Sequence, residues 1–403
     1  MFQRANRHRL VVYLLLALTT ACSPDTAPPE PSTVQQTEQS ANIAADRSLQ
    51  GHVSAAHAKY GLVALGAVIA SSDGVIDVAV AGHRDSKLAD PALPTDMWHL
   101  GSNTKALTAL LYTQLVERGL AEWDSPMPNL FPNIASEMDP AWTEITIEHL
   151  FAHRTGLAQK GGFWLNARRR DDRPLADQRY DAAREALIAP PRKDPATFDY
   201  NNLNYIIAGA AIERILQTQP ELPNSWEGAM QALLFDRLNS AEDQNGFGFG
   251  PPLQGLEGHR SLFGGPANPV GRGKAADNPQ VLGPAGTLHA TLSAHAALAK
   301  EFLNDDSALI SLAARDKLFT PYPDSESTYA MGWGLRSDKE FGLIYLHSGS
   351  NTMWISQIVI VPDLDRVVIV NSNQFDDAAQ AAVSEVVRAV LNDAKDSMEQ
   401  KGN

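Results

Sequence analysis

Ser102 and Lys105 stand three residues apart in the run Ser102-Asn103-Thr104-Lys105. On a helical turn that spacing points both side chains the same way. A serine hydroxyl is a weak nucleophile until a base takes its proton. A lysine can be that base once burial lowers its pKa. Residues 106–118 follow with Leu107, Leu110, Leu111 and Leu115 at helical spacing and polar residues elsewhere. Ser102 would then lie at the N-terminal end of a helix, where the field favours developing negative charge. Alone, the pattern has a plainer reading, an N-cap serine followed by a surface lysine. Two further clusters shift the balance. Tyr200-Asn201-Asn202 precedes a strongly apolar helical run at 205–216, and His347-Ser348-Gly349-Ser350 ends a strand-like run.

The elements that must position these residues are legible in outline. A helix comes first, then a hairpin. Residues 62–70 are an apolar run, Ser71-Ser72-Asp73-Gly74 is a turn signal, and residues 75–81 are a second run rich in valine. Residues 342–347, 354–361 and 367–371 read as three strands, with Pro362-Asp363-Leu364-Asp365 turning between the last two. Residues 378–392 close as an amphipathic helix, and the middle, 120–320, reads as helical patches broken by Gly and Pro. Strands from both ends of the chain with helices between them predict an α+β fold. One antiparallel sheet, flanked by terminal helices, would pair with a mostly helical lobe.

The chain has 403 residues, 44% of them apolar, enough for a sizeable core. Its net charge of -14 should repel nucleic acid and anionic headgroups. Residues 1–21 read as a signal peptide: Arg4, Arg7 and Arg9 precede a short apolar stretch at 10–18. Thr19-Thr20-Ala21 then leads into Cys22, the sole cysteine, which can form no internal disulfide. The junction resembles the lipidation site of bacterial lipoproteins, although Leu18 stands four residues before the cysteine where that pattern has a leucine three before. The expectation is an exported chain, lipid-anchored through Cys22 in the bacterial cell envelope. Residues 22–45 hold Pro24, Pro28, Pro29 and Pro31 among polar residues and read as a disordered tether. Residues 46–395 read as one compact unit.

The three clusters, in this order, resemble the active site of the serine β-lactamase and penicillin-binding protein superfamily, and within it the class C-like branch. That branch carries Ser-x-x-Lys, Tyr-x-Asn, and Lys-Thr-Gly or a His-x-Gly variant. Trp98-His99-Leu100-Gly101 resembles its lead-in strand. The stretch from Ile147 to His153-Arg154-Thr155-Gly156-Leu157 resembles its helix and turn, and Gly283-Pro284-Ala285-Gly286-Thr287-Leu288 its glycine loop before a helix. The similarity covers residues 60–392. It implies a β-lactamase/transpeptidase-like fold and a serine hydrolase that acts on an ester or amide without cofactor or metal. Esterase, D-aminopeptidase and D,D-carboxypeptidase types all fit. A class C-like β-lactamase is the alternative. A non-hydrolytic envelope protein that binds penicillin or peptidoglycan is the alternative from another class. The substrate would be a small molecule or peptidoglycan-like.

The resemblance also implies roles. Ser102 becomes acylated, and Lys105 and Tyr200 share the proton transfers, either being the base. Asn202 bonds the substrate amide or the lysine. The N–H groups of Ser102 and Ser350 form an oxyanion hole beside Gly349, and His347 lines the site opposite the tyrosine. His347 stands where β-lactamases usually have lysine. A neutral imidazole binds a penicillin carboxylate poorly. Met353-Trp354 stands where many relatives have Gly followed by an aromatic, which favours esters or hydrophobic acyl groups. Residues 160–195, with Arg168-Arg169-Arg170-Asp171-Asp172-Arg173, read as a solvated loop or a lid. His149 and His153 are spaced as two ligands on one helix face, but Leu150 stands where a zinc protease needs Glu. Gly271-Arg272-Gly273-Lys274-Ala275 lacks the first glycine and the Ser or Thr of a phosphate loop and reads as a turn. No Gly-x-Ser-x-Gly elbow occurs.

Overall fold

A computed structural model describes residues 47–261, 265–307 and 309–402. The stretches read above as a signal peptide and a tether, with Cys22, lie outside the described residues. Six strands form one antiparallel sheet: β1 (Ala64–Ser71), β2 (Gly74–Gly82), β3 (Gly334–Asp338), β4 (Gly342–Ser350), β5 (Ile355–Val361) and β6 (Arg366–Ser372). Their order is β2-β1-β6-β5-β4-β3. The N-terminal hairpin therefore docks against the C-terminal strands through β1 and β6, with Ala67 opposite Val370 and Val68 opposite Ile369. The helices that bear on the site are α1 (Leu49–Tyr60), α2 (Thr104–Glu117), α3 (Gly162–Arg169), α4 (Leu175–Leu187), α5 (Asn202–Leu216) and α6 (Asp377–Gly402).

Strand β6 shows why the sheet is covered on both faces. Successive side chains of a strand point to opposite faces. Val368 and Val370 enter a cluster with Leu49, Val53, Ala382 and Val386, so α1 and α6 cover that face. Val367 and Ile369 enter a second cluster with Trp98, Leu110, Leu292 and Ile358. That cluster continues into the helical lobe.

Helix α2 is the spine of the lobe. The sequence reading gave it an apolar side and a polar side, but every residue from Thr104 to Leu115 is buried. A helix apolar nearly all round belongs inside a domain, and its few polar groups are bonded there. Thr108 donates to the Pro284 carbonyl at 2.8 Å and Thr113 to Ala109 at 2.9 Å. Helix α5 is buried along most of its length, and the Asn201 side chain caps it by accepting from Leu203 N–H.

Three features differ from the sequence reading. Trp98–His99 pairs with Leu288–Ala290 in a small three-stranded sheet instead of joining the main one. Strand β3 was not foreseen; its buried pattern is weak, with no residue fully buried. Residues 160–195 are no plain loop: they hold α3 and α4. Helix α4 escapes a hydrophobic-pattern search because its buried face is Gln178, Arg179, Ala182, Ala183, Ala186 and Leu187. Arg179 is wholly buried and bonds Glu213 of α5 and Glu227. Removing one partner of such a pair leaves an uncompensated buried charge. Arg179→Met should therefore lower stability by roughly 3–5 kcal/mol. Chemical denaturation is the check, with Glu213→Leu added to the variant expected to restore part of the loss.

Candidate active site

Ser102 lies on a 3-10 turn, Gly101–Asn103, that runs directly into α2. Lys105 is one turn on, within α2, and is fully buried. Its Nζ is 3.0 Å from Ser102 Oγ, 2.8 Å from Asn202 Oδ1 and 2.6 Å from the Ala285 carbonyl. Burial holds the amine well below its ordinary pKa. A neutral amine has two N–H groups and one lone pair. The Ala285 carbonyl can only accept, and Asn202 Oδ1 accepts as well. Those two partners use both N–H groups, which leaves the lone pair for the Ser102 hydroxyl. The Gly283–Gly286 turn supplies the Ala285 carbonyl and is pinned to α2 by the Thr108 bond.

Tyr200 stands just before α5, so the cap that starts the helix also fixes the phenol. Its ring centroid is 4.9 Å from Lys105 Nζ, and its hydroxyl bonds Ser102. The side chain keeps 38% of its surface open, while the protein around it pushes the hydroxyl pKa up. Behind it lies His153, whose ring is 4.3 Å from that of Tyr200. His153 accepts from Asn201 N–H at 3.2 Å and lies 3.0 Å from the Asn204 amide. It is therefore a support for Tyr200. It is no metal partner of His149, because the helix of residues 147–151 ends before it and its φ is +58°. His149 caps that helix instead, accepting from Thr146 N–H. Among the described residues no cluster of three metal-ligating side chains occurs.

His347 is on β4, buried, with its ring 6.3 Å from that of Tyr200. Its Nε2 is 3.2 Å from the Tyr329 hydroxyl. Burial lowers its pKa to about 3. Gly349 follows two residues on, on the same side of the strand. A Cβ there would sit 1.9 Å from the Leu100 carbonyl and 2.8 Å from Ser102 N. Gly101, at φ +52°, is reciprocal, since a Cβ on it would meet Ser350 N at 2.4 Å. Glycine at both positions is what lets the end of β4 close on the Ser102 turn. The backbone nitrogens of Ser102 and Ser350 are thereby brought close to one another.

All seven side chains and backbone groups singled out in the sequence thus meet here: Ser102, Lys105, Tyr200, Asn202, His347, Gly349 and Ser350. Sequence reasoning missed Tyr205 and Tyr329, which pack beside Lys105 and His347. Tyr205 lies with its ring 5.5 Å from Lys105 Nζ and donates to the Phe151 carbonyl at 2.9 Å. Tyr205 looks like one more apolar helix position, and Tyr329 sits in a Gly- and Pro-rich stretch with no pattern. Asn103, also missed, fastens the turn to the sheet by donating to Ser356 Oγ at 2.8 Å. Met353 and Trp354 are buried beneath the site, Trp354 with its ring 6.3 Å from that of Trp98. The methionine therefore packs the floor and does not line the opening. Residues 271–275 lead as a turn into the 3-10 helix Lys274–Ala276.

The profile of the Beta-lactamase family matches residues 49–392. An unguisins hydrolase of Aspergillus campestris is 24% identical over 309 residues, covering 70% of this chain and 53% of that protein. An esterase of Burkholderia gladioli is 31% identical over 108 residues, 26% of each chain. The chain spans about half the length of the curated relatives it matches over most of its own length. Among solved structures, the D-amino acid amidase of Ochrobactrum anthropi SV3 superposes with a TM-score of 0.66 at 18% identity, covering 86% of this chain and 98% of that one. At that identity the likeness shows the fold.

The depressed His347 pKa has a consequence for stability. The unfolded imidazole binds a proton near pH 6.5 and the folded one only near pH 3. Below pH 6.5 the unfolded state therefore binds more protons, and stability falls as pH drops through that window. His153 and His295, also buried and lowered, act in the same direction. His347→Gln should flatten the loss of stability between pH 6.5 and pH 4, measured by urea midpoints across pH. An unchanged slope would mean that His347 is not held neutral.

Proposed function

Because the chain belongs to the Beta-lactamase family, we propose that it is a serine hydrolase that cleaves an ester or amide through an acyl-enzyme on Ser102. One observation carries the reading: a fully buried lysine amine, its pKa lowered by that burial, stands 3.0 Å from Ser102 Oγ. Lys105 takes the hydroxyl proton as Ser102 attacks the carbonyl, and the C–O bond to the enzyme forms. The two N–H groups of Ser102 and Ser350 receive the charge that develops on the carbonyl oxygen, a contribution of a few kcal/mol. Tyr200, whose phenol burial keeps protonated, passes a proton to the leaving group. Water then attacks the acyl-enzyme by the same route in reverse. Asn202 holds the lysine in line throughout.

The substrate reading follows from charge. His347 is neutral at physiological pH and so offers no cation to a penicillin carboxylate or a free peptide C-terminus. Phe198 and Tyr200 both remain exposed, and the Phe198 ring is 5.3 Å from that of Tyr329, which makes the rim aromatic. Uncharged esters and amides with an apolar acyl group fit this rim best. The esterase and the amidase among the similar proteins support that class. On the sequence alone, we also propose export and a lipid anchor at Cys22. Mass analysis of the purified membrane form checks this, since a chain beginning at an acylated Cys22 is expected.

A fluorophosphonate probe should label wild-type protein once, at Ser102, and leave Ser102→Ala unlabelled. Lys105→Ala should lower kcat on p-nitrophenyl butyrate by roughly a thousandfold or more. Intact mass after mixing with a penicillin should show no lasting adduct and the penicillin unconsumed. Turnover that survives Ser102→Ala would sink the acyl-enzyme reading, and consumed penicillin would sink the charge argument.

A further inference from the structure

Asp277 touches neither Ser102 nor Lys105, yet one of its oxygens reaches both sides of the proposed oxyanion hole. Oδ1 accepts from the Asn351 side-chain amide at 2.9 Å and from Asn278 N–H at 2.7 Å. It also lies 2.9 Å from His99 Nε2, a close polar contact whose angle falls short of a hydrogen bond. His99 Nδ1 in turn accepts from Gly101 N–H at 3.0 Å. A ring nitrogen that accepts carries its lone pair, so the ring proton is on Nε2 and faces the carboxylate. Gly101 precedes Ser102 and Asn351 follows Ser350. One carboxylate therefore stands against the imidazole that accepts from the residue before one N–H, and is hydrogen-bonded to the amide of the residue after the other.

The arrangement is buried throughout. The side chains of His99 and Asp277 are 0% and 2% exposed. An acidic group is costly to bury and is kept where its partners hold it in one place. Its other oxygen, Oδ2, has no partner among the described residues, so the contacts through Oδ1 carry the whole interaction. The loop of Asp277 is itself fixed from α3. Arg169 donates to the Asp277 carbonyl at 2.5 Å and also bonds the Lys274 carbonyl. One arginine of the 168–173 run, which resembles no motif of the family, thereby connects to the reaction centre.

We propose that Asp277 is a positioning residue for the oxyanion hole, setting the Ser102 turn through His99 and the Ser350 strand end through Asn351. The proposal rests on the reading of Ser102 as the acylated residue. The two N–H groups come from segments far apart in sequence, and both must meet one oxygen at hydrogen-bond distance as charge develops. A misplacement of a few tenths of an ångström in either weakens the transition state more than the ground state.

The test uses the full chain with p-nitrophenyl butyrate, with rates expressed per Ser102 labelled to completion by a fluorophosphonate. Asp277→Ala should lower kcat roughly ten- to a hundredfold with KM within about threefold of wild type. The inhibition constant of phenylboronic acid, which forms a tetrahedral adduct with a serine, should rise by the same factor as kcat/KM falls. Asp277→Asn keeps an acceptor for Asn278 and Asn351 and should recover most of the activity. If Asp277→Ala does not fold, Asn351→Ala severs one arm and should show the same parallel loss of kcat and boronate affinity. Wild-type kcat per labelled serine in Asp277→Ala and Asn351→Ala, or a loss confined to melting temperature or KM, overturns the proposal while leaving the acyl-enzyme reading intact. Wild-type protein that labels no faster than Ser102→Ala overturns both.

Discussion

The Lys105 amine, out of water and bonded to three oxygens, is the constraint around which the rest of the lobe is arranged. A protonated ammonium at that depth would be costly, which favours the neutral amine that the proposed reaction needs as its base. That neutrality must be secured from several elements at once. Helix α2 carries the lysine, α5 brings Asn202, and the Gly283–Gly286 turn brings the Ala285 carbonyl. This explains why α2 is buried on every side. A helix with a solvated face would let water reach the amine and restore its charge. It also explains why Thr108 ties that turn to α2, because the carbonyl is useful only at a fixed distance.

A second constraint is the closeness of two backbones. The sheet and the helical lobe meet at Gly349 against Leu100 and Ser102, and at Gly101 against Ser350. No side chain fits between them. The contact puts a strand end and a helix start side by side, and it explains why the sheet is built from both ends of the chain. The N-terminal hairpin closes one half of the sheet through β1 and β6, while β4 and β5 are free to extend towards the Ser102 turn. The buried Asn103–Ser356 bond fixes the same junction from the other side.

Sequence patterns revealed the parts whose physics is local. Apolar runs marked α2, α5 and five of the six strands of the sheet. Spacing marked Ser102 and Lys105, because one helical turn fixes their relation. Patterns failed where burial is satisfied by polar groups. Helix α4 buries Gln178 and Arg179 and so carries no apolar stripe. What His153 supports could not be read, because its partners, Asn201, Asn204 and Tyr200, lie about fifty residues away. The shared rim of Phe198 and Tyr329 is likewise a product of tertiary packing. Only the order of the three clusters linked distant segments before any coordinates did so.

The neutrality of the site extends beyond the lysine. Burial keeps His347 and His153 uncharged and keeps the phenols of Tyr200, Tyr205 and Tyr329 protonated. Around Ser102, then, the interacting groups are dipoles, hydroxyls and ring faces. Such a pocket gains little from a charged substrate and loses the solvation that the charge had in water. It gains from an uncharged carbonyl compound, whose only large change in charge occurs on the carbonyl oxygen during attack. That change falls next to the two N–H groups held by Gly101 and Gly349, where fixed dipoles in a dry site act most strongly. In the proposed reaction the burial that favours a neutral lysine therefore also favours an uncharged substrate, which couples the two properties at Lys105 and His347.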